Sequence, residues 1–409
     1  MMRIAVLGAG SAGVCTALEL AHRGHTVDLY DENSAVVTQA SRNNEGKVHL
    51  GLVYARDGSE KTAQTMVLGA IHFSEYLHRW TGFDDWDDVL STPYYYAVHK
   101  GSMSNLVELE QHYHLCRRLF EDACSATGLK YLGSNDRTLQ VERVAHTELE
   151  SMLSPDYFTA AFRTSERAVD PRAIADLLAA AVASEPRIRF FGSTRVTGAS
   201  WQGNDRIRVA LRAADGHERG EVYDRVVNAL WDGRLAIDAA LGLKPERSWI
   251  YRYKMGGWIP QPVAAASDIP SLTMVLGPFG DTVNFGARGL YFSWYPSGLA
   301  GVSHDLAPSK AWDLTEQSRS AILQTSYEEL ARRIPALGSA SPTGVHAAPA
   351  GGVIFAWGNS GIDEPRSHLH TRHEIGVYST GPCYHSINTG KYTMAPYLGY
   401  QAAKRVLGA

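Results

Sequence analysis

The chain has 409 residues, enough for two or three domains of roughly 100–200 residues each. Hydrophobic residues make up 44% and charged residues 20%, the balance of a globular protein with a sizeable core. A net charge of −4 leaves no electrostatic footprint for nucleic acid, and no stretch approaches the ~18 apolar residues of a membrane span.

In chain order, Arg3–Leu7 is a short β-branched and apolar run that reads as a buried strand. The apolar start meets glycines at once and lacks the core and cleavage site of a signal peptide, so a cytoplasmic protein is expected. Gly8-Ala9-Gly10-Ser11-Ala12-Gly13 follows, then apolar residues at helical spacing up to Gly24, a C-cap. His25–Asp31 reads as a second strand. Residues 39–57 are polar and turn-rich. Helices are predicted over 60–80, 104–127 and 171–184, the last with Asp170 as N-cap and Pro171 at the first helical position. Strands are predicted at Thr92–His99, Arg187–Phe191 and Arg225–Leu230. From 246 to 304, alternating aromatic and small residues between turns indicate an antiparallel sheet. Residues 310–334 return to helix, and the tail becomes helical after Pro396. Cys15, Cys116, Cys124 and Cys383 form no CxxC pair, so no metal site is expected.

Strand, then Gly8-x-Gly10-x-x-Gly13, then helix is the context of a dinucleotide-binding turn. Gly8 permits the tight turn, Gly10 lets backbone approach a pyrophosphate, and Gly13 lets helix and strand pack closely. The helix N-terminus, with Ser11 and Ala12, offers free N–H groups to phosphate. Asp31 lies about 18 residues beyond Gly13, where a carboxylate accepts from a ribose hydroxyl. An acid here disfavours NADP but does not separate NAD from FAD.

Ala40-Ser41-Arg42-Asn43-Asn44-Glu45-Gly46-Lys47-Val48-His49-Leu50-Gly51-Leu52-Val53-Tyr54 resembles the segment after the second strand in the D-amino-acid-oxidase-like FAD superfamily. Its pattern is most similar to L-2-hydroxyglutarate dehydrogenases and FAD-dependent glycerol-3-phosphate dehydrogenases; glycine oxidases belong to the same superfamily. Ala168-Val169-Asp170-Pro171, Thr194-Arg195-Val196-Thr197 and Val226-Val227-Asn228-Ala229-Leu230-Trp231-Asp232-Gly233 are similar to later elements of that superfamily. In the last, Leu230 or Trp231 stands where glycine is usual. Ser386-Ile387-Asn388-Thr389-Gly390-Lys391-Tyr392-Thr393 resembles the flavin loop of the glycerol-3-phosphate group, and Arg372-His373-Glu374-Ile375 another of its motifs.

The resemblance implies FAD, held non-covalently, as cofactor. It implies an α/β (α+β overall) fold in which a Rossmann-like FAD-binding domain (1–85, 160–235 and 345–409) is interleaved with an antiparallel-sheet substrate-binding domain (86–159 and 236–344). Implied cofactor contacts are Gly8, Gly10, Ser11, Ala12, Gly13, Asp31, Ser41, Asn43, Asn44, Gly46, Lys47, Val196, Ala229, Trp231, Thr389, Gly390, Lys391 and Thr393. His49 is implied beside the flavin ring.

Flavin oxidation needs groups that position substrate, a route for its proton, and positive charge near the reduced ring. Lys391 and the Thr389–Gly390 backbone suit the third role, as does the Gly351-Gly352 pair. His49 titrates near neutrality and suits general-base work; a covalent flavin link or a structural role are its alternatives. Arg252 and Lys254 sit on an aromatic strand where a cation can hold a carboxylate or phosphate. Tyr291, Trp294 and Tyr295 are candidate pocket walls, Arg372 and Arg366 candidate anion anchors, and Cys383 a buried thiol. The readings are oxidation at CH–OH of a small, anionic substrate; oxidation at CH–NH of an amino acid or secondary amine; a non-catalytic NAD- or nucleotide-binding protein; or an FAD enzyme that modifies a macromolecule. The absent basic patch disfavours the last. Electron acceptor and oligomeric state stay open.

Overall fold

A computed structural model describes residues 2–260, 268–308, 313–340 and 346–408. Among them, three sheets carry the fold.

The first sheet has six strands in the order β17–β18–β10–β1–β2–β6. Its centre is β1 (Ile4–Leu7), which pairs in parallel with β2 (Val27–Tyr30) on one side and β10 (Arg225–Asn228) on the other. Every residue of β1 and β2 is buried, which is why both read as short apolar runs rather than alternating ones. β6 (Ile188–Phe191) and β18 (Tyr384–Asn388) extend the parallel part, and β17 (Gly376–Thr380) closes one edge in antiparallel pairing. The helix Ser11–His22 packs on this sheet with all but its last residue buried. It ends one residue before the expected cap: Arg23 takes the cap and Gly24 the left-handed turn at φ 88°.

The second sheet is mostly antiparallel. Its order is β15 (Leu299–Ser303), β11 (Trp249–Ile259), β14 (Leu290–Trp294), β13 (Gly280–Asn284), β12 (Ser271–Val275), β3 (Tyr94–His99), β5 (Phe158–Thr164) and β4 (Val141–Arg143). β16 (Ala348–Trp357) runs antiparallel along the other side of β11. β16, and β5 from residue 160 onward, fall within segments 345–409 and 160–235, assigned above to the FAD-binding part, yet hydrogen-bond into this sheet. Strand composition does not name the sheet a strand will join; the free edge it meets does. A third sheet, β7 (Thr194–Gln202), β8 (Arg206–Ala213) and β9 (Glu218–Tyr223), stands beside the first.

The helices Lys61–Thr81 and Leu106–Thr127 lie where the apolar spacing placed them. The helix expected over 310–334 is observed as Glu316–Ala331, and a separate turn of helix begins at Pro335; residues 310–312 lie outside the described residues. The strand expected to reach Leu230 stops at Asn228, because Ala229 and Leu230 turn against Gly8. No helix among the described residues is long and apolar enough to cross a membrane.

The helix Pro171–Ser184 starts on Asp170, whose side chain accepts from the N–H groups of Arg172 at 2.9 Å and Ala173 at 3.4 Å. Asp170→Ala removes this cap and should destabilise the fold by about 1 kcal/mol. The check is a lower melting midpoint with the cofactor spectrum unchanged.

Candidate active site

β1 ends at Leu7 and the chain turns at Gly8, with φ 95°. A Cβ at Gly8 would lie 2.6 Å from the carbonyl oxygen of Ala229, and one at Gly13 would lie 1.8 Å from the carbonyl oxygen of Gly8. Any side chain at either place would separate β1, the helix and β10. This close contact opens a cavity of about 600 Å³ at the carboxyl ends of the parallel strands, roofed by the second sheet.

Gly10, Ser11 and Ala12 line the cavity at the start of the helix. Gly10 offers no side-chain cap, and the buried Ser11 hydroxyl has no partner. Polar groups left unpaired at a helix N-terminus are what an anionic phosphate requires. Ser41 Oγ accepts from Ser11 N at 3.0 Å and fixes the loop from 39 to 49 against that turn. Asp31 also lines the cavity, near Val196 and Glu32. Its carboxylate accepts from Ala9 N at 2.7 Å and from Asn33 N at 2.8 Å, so it also braces the glycine turn.

Ser41, Asn43, Asn44, Lys47 and His49 line the middle of the cavity, with Ala229 and Trp231 on a facing wall. Asn43 and Asn44 also build the loop: Asn43 Nδ2 donates to Thr38 O at 3.0 Å, and Asn44 Oδ1 accepts from Gly46 N at 2.7 Å. Thr389, Gly390 and Lys391 line the cavity too, as do Gly351 and Gly352, the latter packed against Ala40. Gly13, Gly46 and Thr393 stand behind the wall. Thr393 Oγ1 accepts from His49 N at 2.9 Å and donates to Lys47 O at 3.1 Å, so it aligns two wall residues.

His49 is buried, and neither ring nitrogen is engaged by another described residue; Nδ1 is fully walled off. Burial first, then the nearby charges of Lys391 and Lys47, hold its pKa well below the ordinary histidine range. The imidazole is therefore neutral at pH 7. Burial also lowers Lys391, to about 8, with Arg372, Lys254 and Lys47 adding to the effect and Glu45 opposing it.

Lys47 and Lys254 share one carboxylate. Lys47 Nζ lies 3.5 Å from Asp281 Oδ1 and bonds to Thr273; Lys254 Nζ lies 3.6 Å from Asp281 Oδ2. Burial opposes the Lys254 charge, but Asp281, with Tyr291, Glu45 and Tyr295 adding to it, holds the ammonium above its usual range. Lys254 and Tyr291 line the cavity.

Arg252 lies two residues from Lys254 on β11, hence on the same face, but behind the cavity wall. It donates to Tyr295 Oη at 2.8 Å, and its Nε has no partner. Arg372 donates to the Phe355 carbonyl at 3.2 Å. Burial, and then the charge of Arg252, lower Arg372 to about 10. Both guanidiniums are more than nine-tenths buried. Among the described residues neither has a carboxylate within ion-pair distance. Arg366 is exposed, and Trp294 packs under Arg333 in the second core. Cys383 is buried and free.

Asp281, Thr273 and Glu166 escaped the sequence reading. Asp281 looks like an ordinary hairpin acid, and nothing local says that two distant lysines meet it.

The residues fit FAD: a long cavity, unpaired donors at the helix N-terminus, and cations at the opposite end. A family model for FAD-dependent oxidoreductases, the DAO family, matches residues 3–403. No curated protein matches in sequence. Among solved structures, glycine oxidase from Geobacillus kaustophilus is similar with a TM-score of 0.65 and 14% identity, covering 100% of this chain and 95% of that one. Iminodiacetate oxidase from Chelativorans sp. BNC1 gives 0.66 and 16%, covering 99% and 95%. FAD-bound L-α-glycerophosphate oxidase from Mycoplasma pneumoniae gives 0.65 and 15%, covering 99% and 94%. The chain belongs to the DAO family of FAD-dependent oxidoreductases.

Proposed function

We propose that this enzyme removes a hydride from the CH–OH carbon of a small anionic substrate such as a 2-hydroxy acid. The observation that carries the reading is His49, a neutral imidazole on the cavity wall with no internal partner. An alcohol loses an O–H proton as it loses hydride, so its oxidation needs a base. A neutral amine has a lone pair of its own and needs none.

Bound FAD supplies the oxidant, accepting the hydride on its ring system. Gly10, Ser11 and Ala12 would hold its pyrophosphate at the helix N-terminus, with Asp31 and Val196 toward its adenosine end. His49 Nε2, the ring nitrogen that is not walled off, takes the hydroxyl proton. Lys391 and the Gly390 backbone stabilise the negative charge that develops at the far end. Arg252 and Arg372, buried just behind the cavity wall, supply the positive field that draws the anionic group of the substrate, with Tyr295 orienting Arg252. A substrate domain containing β5 and β16 then contributes the anchor, and the first sheet the cofactor site. The reading takes the cofactor as non-covalent: Cys383 lies outside the cavity, and acid precipitation should leave flavin in the supernatant, whereas flavin in the pellet would point to a link through His49.

Amino acids would suit the same anchor, so the deciding experiment is anaerobic flavin bleaching by 2-hydroxy acids against the matching amino acids. Faster bleaching by the hydroxy acids supports the reading; bleaching by amino acids alone sinks it. His49→Gln should slow reduction about 100-fold while substrate affinity changes little.

The pH dependence has a definite sign. His49 stays a base through neutral pH because its pKa is depressed. Lys391 loses its charge as pH rises through about 8, and its stabilisation of the developing negative charge weakens with it. So kcat/KM should hold level at neutral pH and fall above about 8. Lys391→Arg should move that fall to higher pH.

Two buried like charges destabilise the fold that holds them. Arg372→Leu should therefore raise KM by roughly 10–100-fold without lowering the melting midpoint of the substrate-free enzyme. A large loss of stability with KM unchanged would mean a structural arginine.

A further inference from the structure

Trp231 has φ 54°, a left-handed conformation that a bulky side chain holds only when its surroundings impose it. Gly233, two residues on, has an ordinary φ of −80°, so the residue best suited to the strained conformation is not the one placed there. Trp231 directly follows Ala229 and Leu230, whose backbone presses on Gly8.

Its indole crosses to the other sheet. Nε1 donates to the Val353 carbonyl at 2.8 Å, and the ring meets Phe355 edge-on at 6.4 Å. Both partners lie on β16, an edge strand paired with β11 alone. An edge strand leaves one row of backbone groups without neighbours. The indole N–H occupies one of them, at a point where Trp231 and Val353 both line the cavity.

We propose that Trp231 is a clasp for the cofactor. It fastens the edge strand of the second sheet to the dinucleotide-binding sheet across the FAD cavity. Retention of FAD then depends on a contact between sheets as well as on the glycine turn. The backbone strain at Trp231 is what aiming the indole at Val353 costs. Because β11 carries Arg252 and pairs with β16, the clasp also sets the distance from the cofactor to that cation. Trp231 is thus a positioning residue. The proposal rests on FAD binding and is independent of whether the substrate carries CH–OH or CH–NH.

The test uses full-length holoenzyme with Trp231→Gly and Trp231→Phe. FAD release is followed by recovery of flavin fluorescence on dilution, and the melting midpoint of the FAD-free chain is measured in parallel. Glycine accepts the backbone conformation, so Trp231→Gly should leave the FAD-free midpoint level or raised while FAD leaves about tenfold faster. Trp231→Phe keeps a ring but loses the N–H donor, and should fall between the two. Release within about twofold of the native rate in Trp231→Gly overturns the proposal, as does a midpoint that drops in step with FAD retention, which marks plain packing. Should Trp231→Gly not fold, Trp231→Phe decides: faster release at an unchanged midpoint supports the clasp, and unchanged release refutes it.

Discussion

The strip Lys47–Gly51 has almost no regular secondary structure, yet it is held from several directions at once. Val48 N donates to Arg167 O at 3.0 Å, and Val48 O accepts from Tyr131 Oη at 2.8 Å. Thr393 bridges Lys47 and His49. Leu50 N donates to Glu166 at 2.6 Å, and Gly51 O accepts from His112 at 2.9 Å. These partners come from the segment just after β5, from the short turn at Tyr131, from the helix Leu106–Thr127 and from the turn at Thr393 that leads into the last helix. Buried backbone must find partners or pay a desolvation penalty, so a strip without its own ladder has to be fastened by its surroundings. That fastening puts His49 and Lys47 on the cavity wall and lets two sheets share one site.

The site treats its positive charges in two ways. Lys47 and Lys254 are neutralised by Asp281, and Lys47 also lies 4.3 Å over the Tyr94 ring. Those cations are structural anchors for the roof. Lys391, Arg252 and Arg372 have no such partner, and the low dielectric around them makes their mutual repulsion costly. Burial first, and that repulsion in addition, depress Lys391 and Arg372 and keep the histidine neutral. An anionic ligand would relieve all three at once. Binding and base strength are therefore coupled through one electrostatic environment.

Local signals made the cofactor half legible. Gly8, Gly10 and Gly13 between an apolar strand and a helix, followed by Asp31, define a turn whose geometry depends on contacts within about thirty residues of sequence, and such contacts leave a local pattern. The loop from Ser41 to His49 was readable only through its resemblance, since its asparagines mostly hold the loop together. Arg252 and Lys254 could be named as cations on an aromatic strand. Nothing in that strand distinguishes Lys254, which an acid neutralises, from Arg252, which lacks one.

Spacing, composition and the glycine turn determined by themselves that the chain builds a dinucleotide-binding sheet, an antiparallel second sheet, and helices near 60–80, 104–127 and 171–184, because hydrophobic periodicity and capping are local. Tertiary structure alone decided that β5 and β16 join the second sheet, that Asp281 gathers Lys47 and Lys254, that Arg252 lies close enough for its charge to lower Arg372, and that Trp231 reaches Val353. Each of these joins residues tens to hundreds of positions apart. Such pairings are settled by which edges and faces remain open once the local elements have packed.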